Sequence, residues 1–233
     1  MKAVQPLSRR FSRRTFLAGF TSALIVSRIA HAEDSTRAED ATWTGNSWDG
    51  WMTVEGKAVP AAWERNDGTI HLRKTPERTG HIVTRREYGD FKLEFEWKIA
   101  PGGNSGIKYR VRRYVDRMLG CEYQIYDARK QSVDPKNQTG SIYDLYEPDD
   151  SAVAKPPGEW NQGMIQLKDN VIEHWLNGSK IVTAKVGDAD WDRRIIESKF
   201  NDLPGFAKNI RGRIMLTDHG SEVWYRELKF TEL

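Results

Sequence analysis

The segment from Tyr88 to Ile99 constrains the fold more than any other part of the chain. Phe91, Leu93, Phe95, Trp97 and Ile99 alternate with Lys92, Glu94, Glu96 and Lys98. Successive side chains of an extended strand point to opposite sides, so this period of two places one apolar and one solvated face on a single segment. Pro101-Gly102-Gly103-Asn104 ends it with a turn signal. The same grammar continues downstream: Gly106 to Arg112 and Cys121 to Asp127 read as strands. Met164 to Leu167 and Val171 to Leu176 read as a hairpin around Lys168-Asp169-Asn170, and Asn177-Gly178 turns tightly into Lys180 to Val186. Arg213 to Leu216 and Val223 to Phe230 close the chain. One short helix is expected near residues 190 to 200, with Asp190 capping Trp191 to Phe200. Many short antiparallel strands at regular spacing predict an all-β fold, a sandwich of two antiparallel sheets.

The beginning of the chain follows different rules. Residues 1–32 hold Lys2, Arg9, Arg10, Arg13, Arg14 and Arg28 and no acidic residue, followed by an apolar run and Ala30-His31-Ala32, a small-x-small cleavage site. Ser12-Arg13-Arg14-Thr15-Phe16-Leu17 fits a twin-arginine export signal. The apolar run is shorter than the roughly 20 residues of a spanning helix, so no stable membrane insertion is expected. The expected organisation is a signal peptide at 1–32 cleaved after Ala32, a flexible lead-in at 33–42, and one domain at 43–233 working in the periplasm or otherwise outside the cytoplasm.

Charge must be read with that division in mind. The whole chain has 36 basic and 33 acidic residues, a net of +3, but without the six basic residues of the leader the balance is 30 against 33, a net of −3. The basic character belongs to the leader, and nothing asks for a nucleic-acid or anionic-membrane partner. Cys121 is the only cysteine, which excludes an intrachain disulfide.

The residues that carry chemistry cluster on a few strands. All nine tryptophans follow the leader, and aromatic faces stack well on the C–H edges of sugars. Trp97 and Trp175 read as core residues of alternating strands, whereas Trp48, Trp51, Trp63 and Trp160, near turns, are better placed for a binding surface. Glu122, Gln124 and Tyr126 line one face of a strand at about 7 Å intervals, without a lysine among them. Asn104 and Arg110 flank the entry to the neighbouring strand, and Asp144 and the pair Asp218-His219 complete the polar inventory. No Gly-x-Ser-x-Gly elbow, His-Glu-x-x-His motif, P-loop or dinucleotide fingerprint occurs, so no nucleotide cofactor is expected. Glu94 and Glu96 share a charge-balanced face with Lys92 and Lys98, which fits solvation better than a glycosidase carboxylate pair.

Seven blocks in order complete a recognisable pattern: Gly89 to Trp97, Gly103-Asn104-Ser105-Gly106-Ile107, Gly120 to Asp127, Thr139 to Asp144, Lys155 to Asn161, Glu173 to Gly178 and Gly212 to Gly220. Together they resemble the 3-keto-disaccharide hydrolase family, known as the DUF1080 domain, over about Trp43 to Leu233. The resemblance implies a concanavalin-like jelly-roll sandwich and cleavage of glycosides already oxidised to a ketone at C3. A C3 ketone acidifies the C2 proton. A base removes it, the enolate expels the C1 substituent, and water adds back. The resemblance implies His219 or Glu122 as the base, with Arg110, or a divalent metal held by Glu122 and His219, stabilising the enolate. Asn104, Gln124, Tyr143, Asp144, Trp160 and Asp218 would bind the sugar. A sugar 3-oxidoreductase is the expected functional partner. The family usually carries Gln before Asp-His-Gly, where this chain has Thr217, which puts that substrate contact in doubt. The rival expectation is a non-catalytic carbohydrate-binding module, because lectins share this fold.

Overall fold

In the computed structural model of the chain, the described residues are 41–42, 47–127 and 133–233. The expected signal peptide at 1–32 and residues 33–40 of the expected lead-in lie outside them. Thirteen strands and one α-helix are described, besides a single 3-10 turn at Pro135–Asn137: β1 (Ala41–Thr42), β2 (Trp51–Thr53), β3 (Trp63–Asn66), β4 (Thr69–Leu72), β5 (Ile82–Thr84), β6 (Phe91–Ile99), β7 (Asn104–Tyr114), β8 (Arg117–Tyr126), β9 (Asn161–Lys168), β10 (Val171–Leu176), β11 (Ser179–Lys185), α1 (Ala189–Ile196), β12 (Arg213–Leu216) and β13 (Val223–Glu232). They form two antiparallel sheets. The larger runs β11-β10-β9-β6-β13-β4-β3, with β1 also paired to β13, and the smaller runs β2-β5-β12-β7-β8. This is the expected sandwich of two antiparallel sheets. Among the described residues no helix is long and apolar enough to cross a membrane.

Strand β6 behaves as its alternation requires. Phe91, Leu93, Phe95, Trp97 and Ile99 are buried between the sheets, while Lys92, Glu94, Glu96 and Lys98 lie on the outer face. The two sheets meet through aromatic pairs such as Phe95 against Tyr123, with ring centroids 5.3 Å apart and nearly perpendicular planes. Helix α1 is capped by Asp188 rather than Asp190: the Asp188 carboxylate accepts from the Trp191 backbone N–H at 2.8 Å, and the helix ends at Ile196. Asp190 instead lies inside the first turn and pairs with Arg193 and Arg194.

A polar connection through His174 crosses the core. His174 on β10 is fully buried, its Nδ1–H donates to the Gly140 carbonyl at 2.8 Å, and its Nε2 accepts from the Tyr109 hydroxyl on β7 at 2.9 Å. Burial holds the imidazole neutral, with its pKa lowered to about 4. The carbonyl it grips opens the segment from Gly140 to Tyr146, which bridges to β8 through Ile142 and Tyr123. The core thereby anchors a stretch that borders the site described next.

Candidate active site

The outer face of the smaller sheet gathers the ionisable groups. In the register of β7 and β8, Lys108 lies opposite Glu122, Gly106 opposite Gln124, and Asn104 opposite Tyr126. Facing residues of an antiparallel pair share one side of the sheet, so the two strands present a common polar surface. Glu122 and Lys108 are 6% and 9% exposed, and Lys108 Nζ stands 3.5 Å from Glu122 Oε2. His219, just beyond β12, brings Nε2 to 3.7 Å from Glu122 Oε1. Space for this carboxylate depends on Gly106, where a Cβ would stand 2.5 Å from Glu122 Oε1.

These contacts set the charge state. Burial opposes ionisation of Glu122, but the Lys108 ammonium and then His219 outweigh it and hold the carboxyl below its ordinary pKa. His81 lies edge-on to His219, with ring centroids 5.8 Å apart. Its Nδ1 accepts from the Asp218 backbone N–H at 2.9 Å, which leaves its proton on Nε2. Burial and the adjacent Lys108 lower the His81 pKa to about 4. The cluster thus combines an ionised carboxylate, an ammonium and a neutral imidazole beside a partly exposed histidine.

Tyr143 and Asp144 border the same cluster. The Tyr143 backbone N–H donates to the Glu122 carbonyl at 3.0 Å, and Lys199 Nζ lies 3.9 Å from the centre of the Tyr143 ring. Asp144 accepts from the Lys199 backbone N–H at 2.8 Å. Burial raises the Tyr143 pKa, with the Glu122 and Asp144 charges adding to it, so its phenol stays protonated. Gln124 Nε2 donates to Asn104 Oδ1 at 3.2 Å, which orients both amides on the common face.

Three expected site residues are placed elsewhere. Arg110 turns away from Glu122 because β7 is bulged between Tyr109 and Arg112, with Arg110 itself at φ 51°. The extra residue reverses the alternation, and the buried guanidinium donates to Asn170 Oδ1 at 2.8 Å and to the Ala207 carbonyl at 3.3 Å. Trp160 stacks with Lys98 and Arg226, on the outer face of the other sheet. Asp218 is buried with both oxygens occupied: one accepts from Thr79 N–H at 2.7 Å and Gly80 N–H at 3.0 Å, the other from Gly220 N–H at 2.7 Å. It shapes the loop that presents His219. Trp51 and Trp63, expected at a surface, are buried at 1% and 2% exposure, whereas Trp175, expected in the core, is half-buried on the outer face of the larger sheet.

Sequence reasoning missed Lys108, His81 and Lys199. Lys108 follows Gly106 by two and therefore shares its face, a signal available once β7 and β8 are paired. His81 and Lys199 come from distant segments and left no local signal. Thr217, at the position where the family usually has Gln, is fully buried, with its hydroxyl 3.2 Å from the Gly106 carbonyl and 3.4 Å from Glu122 Oε1. Among the described residues no three His, Cys, Asp or Glu side chains gather as a metal-binding group. Glu122 and His219 supply two donors, and the second Glu122 oxygen already faces an ammonium.

Comparison with known proteins places the chain in a family. Residues 40–231 match the family described as the 3-keto-alpha-glucoside-1,2-lyase-like domain. A 3-keto-disaccharide hydrolase of Bacteroides thetaiotaomicron is 27% identical over 220 residues, covering 79% of this chain and 75% of the relative. The crystal structure of a candidate glycosyl hydrolase from Parabacteroides distasonis superposes with a TM-score of 0.73 at 31% identity, covering 82% of this chain and 92% of the other. A second structure from that organism, at 24% identity and a TM-score of 0.62, shares the fold. The chain belongs to the 3-keto-alpha-glucoside-1,2-lyase-like, or 3-keto-disaccharide hydrolase, family.

Proposed function

We propose that this protein is a carbohydrate-acting enzyme that cleaves 3-keto glycosides by elimination across C1 and C2. The observation that carries the reading is the buried Glu122 carboxylate held between Lys108 at 3.5 Å and His219 at 3.7 Å. A base removes the C2 proton, and the C–H electron pair becomes an enolate whose negative charge rests on the C3 oxygen. The enolate then re-forms the ketone, the C1–O bond breaks, and the leaving oxygen takes a proton. This yields an enone with a C1=C2 double bond. Addition of water, with OH to C1 and H to C2, completes a net hydrolysis, whereas release before hydration gives a lyase.

The residues at the site match those needs. His219, partly exposed beside an ionised Glu122, is the proposed base, and Glu122 orients it and favours the imidazolium formed when the C2 proton arrives. The Lys108 ammonium takes the role first expected of Arg110, neutralising charge on the C3 oxygen. Asn104, Gln124 and Tyr143 offer hydrogen bonds to sugar hydroxyls. A direct displacement by paired carboxylates fits less well, because Asp218 is occupied by three backbone donors and Asp144 by the Lys199 N–H. The donor set around Glu122 fits an ammonium better than a metal, so no step here runs through a metal.

A twin-arginine leader would deliver the domain to the periplasm, and a sugar 3-oxidoreductase would supply its keto substrate. The test is release of a chromogenic leaving group from a 3-keto glucoside and from its unoxidised parent, with and without chelator. Release from the keto compound alone, unaffected by chelator, is expected. Equal release from both would overturn the elimination route. Saturable sugar binding without turnover of either would identify a binding module.

A further inference from the structure

The outer face of the larger sheet has its own cleft, on the opposite side of the sandwich from Glu122. Two cross-strand rows form its floor: Trp175, Met164, Glu94 and Lys229 in one, and Gln162, Glu96 and Arg226 in the next. A cavity of about 530 Å³ lies over them, within the range of small-ligand sites. One wall rises at the Asn177-Gly178 turn beside Trp175. The other rises where β13 bulges between Arg226 and Lys229, with Glu227 at φ 52°.

The side chains here differ from those of an ordinary solvated face. Trp175 and Met164 stand side by side at outward positions and are only half-buried, although the alternation of β9 and β10 assigns those positions to polar groups. The indole is oriented by its Nε1–H, which donates to Glu173 Oε2 at 3.3 Å. Around it the carboxylates are already neutralised: Glu94 by Lys92 at 2.9 Å, Glu96 by Arg226 at 2.6 Å, and Glu227 by Lys229 at 3.5 Å. Such a surface has no net attraction for an ion. It offers acceptors and donors at fixed spacing beside an apolar plate, which is the complement of a pyranose with its apolar C–H face and rim of hydroxyls.

We propose that this cleft is a second saccharide site, which binds a neutral oligosaccharide by stacking a ring on Trp175 and hydrogen-bonding it to Glu94, Glu96 and Gln162. It stands apart from the Glu122 cluster and does not depend on the proposed chemistry. A glycan held there leaves the other face open, so the two sites can be filled together.

The experiment is an NMR titration of the full chain with maltotetraose and, separately, cellotetraose, following the indole N–H signals. Trp175→Phe assigns the Trp175 signal. A saturable shift of that signal with at least one probe is the expected result. Trp175→Ala should weaken binding by about tenfold or more, while turnover of a small 3-keto glucoside stays at the wild-type rate. If Trp175→Ala fails to fold, Gln162→Ala provides the same comparison. Absence of a saturable shift with both probes overturns the proposal. So does binding that survives Trp175→Ala but disappears in Glu122→Gln, because the sugar would then occupy the other face. Absence of 3-keto glucoside turnover by the wild-type chain, with the Trp175 shift present, would instead count against the elimination reading alone.

Discussion

Glu94 and Glu122 lie on strands of comparable length and both face away from the core, yet they occupy different physical settings. Glu94 pairs with Lys92 at 2.9 Å and keeps 47% of its side-chain exposure. Glu122 pairs with Lys108 at the longer distance of 3.5 Å but keeps only 7%. Water and salt screen the first pair, so its closer contact contributes little. The second pair is shielded from water, where the same charges act more strongly on each other and on any charge that develops nearby. Distance alone would rank the pairs wrongly. Burial, together with a histidine 3.7 Å from its other oxygen, singles out Glu122 as the carboxylate of the proposed chemistry.

The largest expected consequence is at Glu122 itself. Glu122→Gln keeps the shape and removes the charge, and turnover of a 3-keto glucoside is expected to fall by about 10²- to 10⁴-fold. Glu94→Gln is expected to leave the rate unchanged, and equal losses in steady-state assays would erase the contrast between the two faces. Lys108→Met comes next, with kcat lowered by about 10²- to 10³-fold and little change in KM. Without the ammonium, burial is free to raise the Glu122 pKa, so the acidic limb of the pH–rate profile should move to higher pH. A limb that does not move would argue against direct coupling.

Stability should also depend on pH through the buried imidazoles. His81 and His174 are both lowered from 6.5 to about 4. Between those values the unfolded chain binds protons that the folded chain refuses. Stability is therefore complete above about pH 6.5 and declines as pH falls towards 4, by up to about 3 kcal/mol per histidine. Urea unfolding at pH 7.5, 5.5 and 4 measures this, and a flat response would show that the imidazoles are not held neutral. The smallest effect belongs to the half-buried pair on the outer face of the larger sheet: Arg226→Ala removes the 2.6 Å contact with Glu96 and is expected to cost less than about 1 kcal/mol. A thermal melt showing a larger loss would mean that its packing on Trp160 matters more than its charge.

Much of this was legible in one dimension. Period two in β6, β9 and β10 identified strands because side-chain direction in extended backbone is a local property. The row of Glu122 and Gln124 followed from the same rule. What failed was anything that depended on a break in that rule or on distant segments. One bulged residue at Arg110 reversed a side chain that simple alternation would have placed beside Lys108. Trp175 read as core because of its hydrophobicity, although its parity with Glu173 places it outward. Trp51 and Trp63 lie near turns in sequence, yet β2 and β3 carry them beneath the sheets.

The sequence by itself determined the all-β class, the inner and outer faces of the long strands, and the family, because these rest on local periodicity and on ordered short motifs. Only the tertiary structure decided that Lys108 and His81, rather than Arg110, accompany Glu122 and His219. Cross-strand register and loop closure bring those groups together, and the pKa of each depends on burial and neighbouring charge that no single segment encodes.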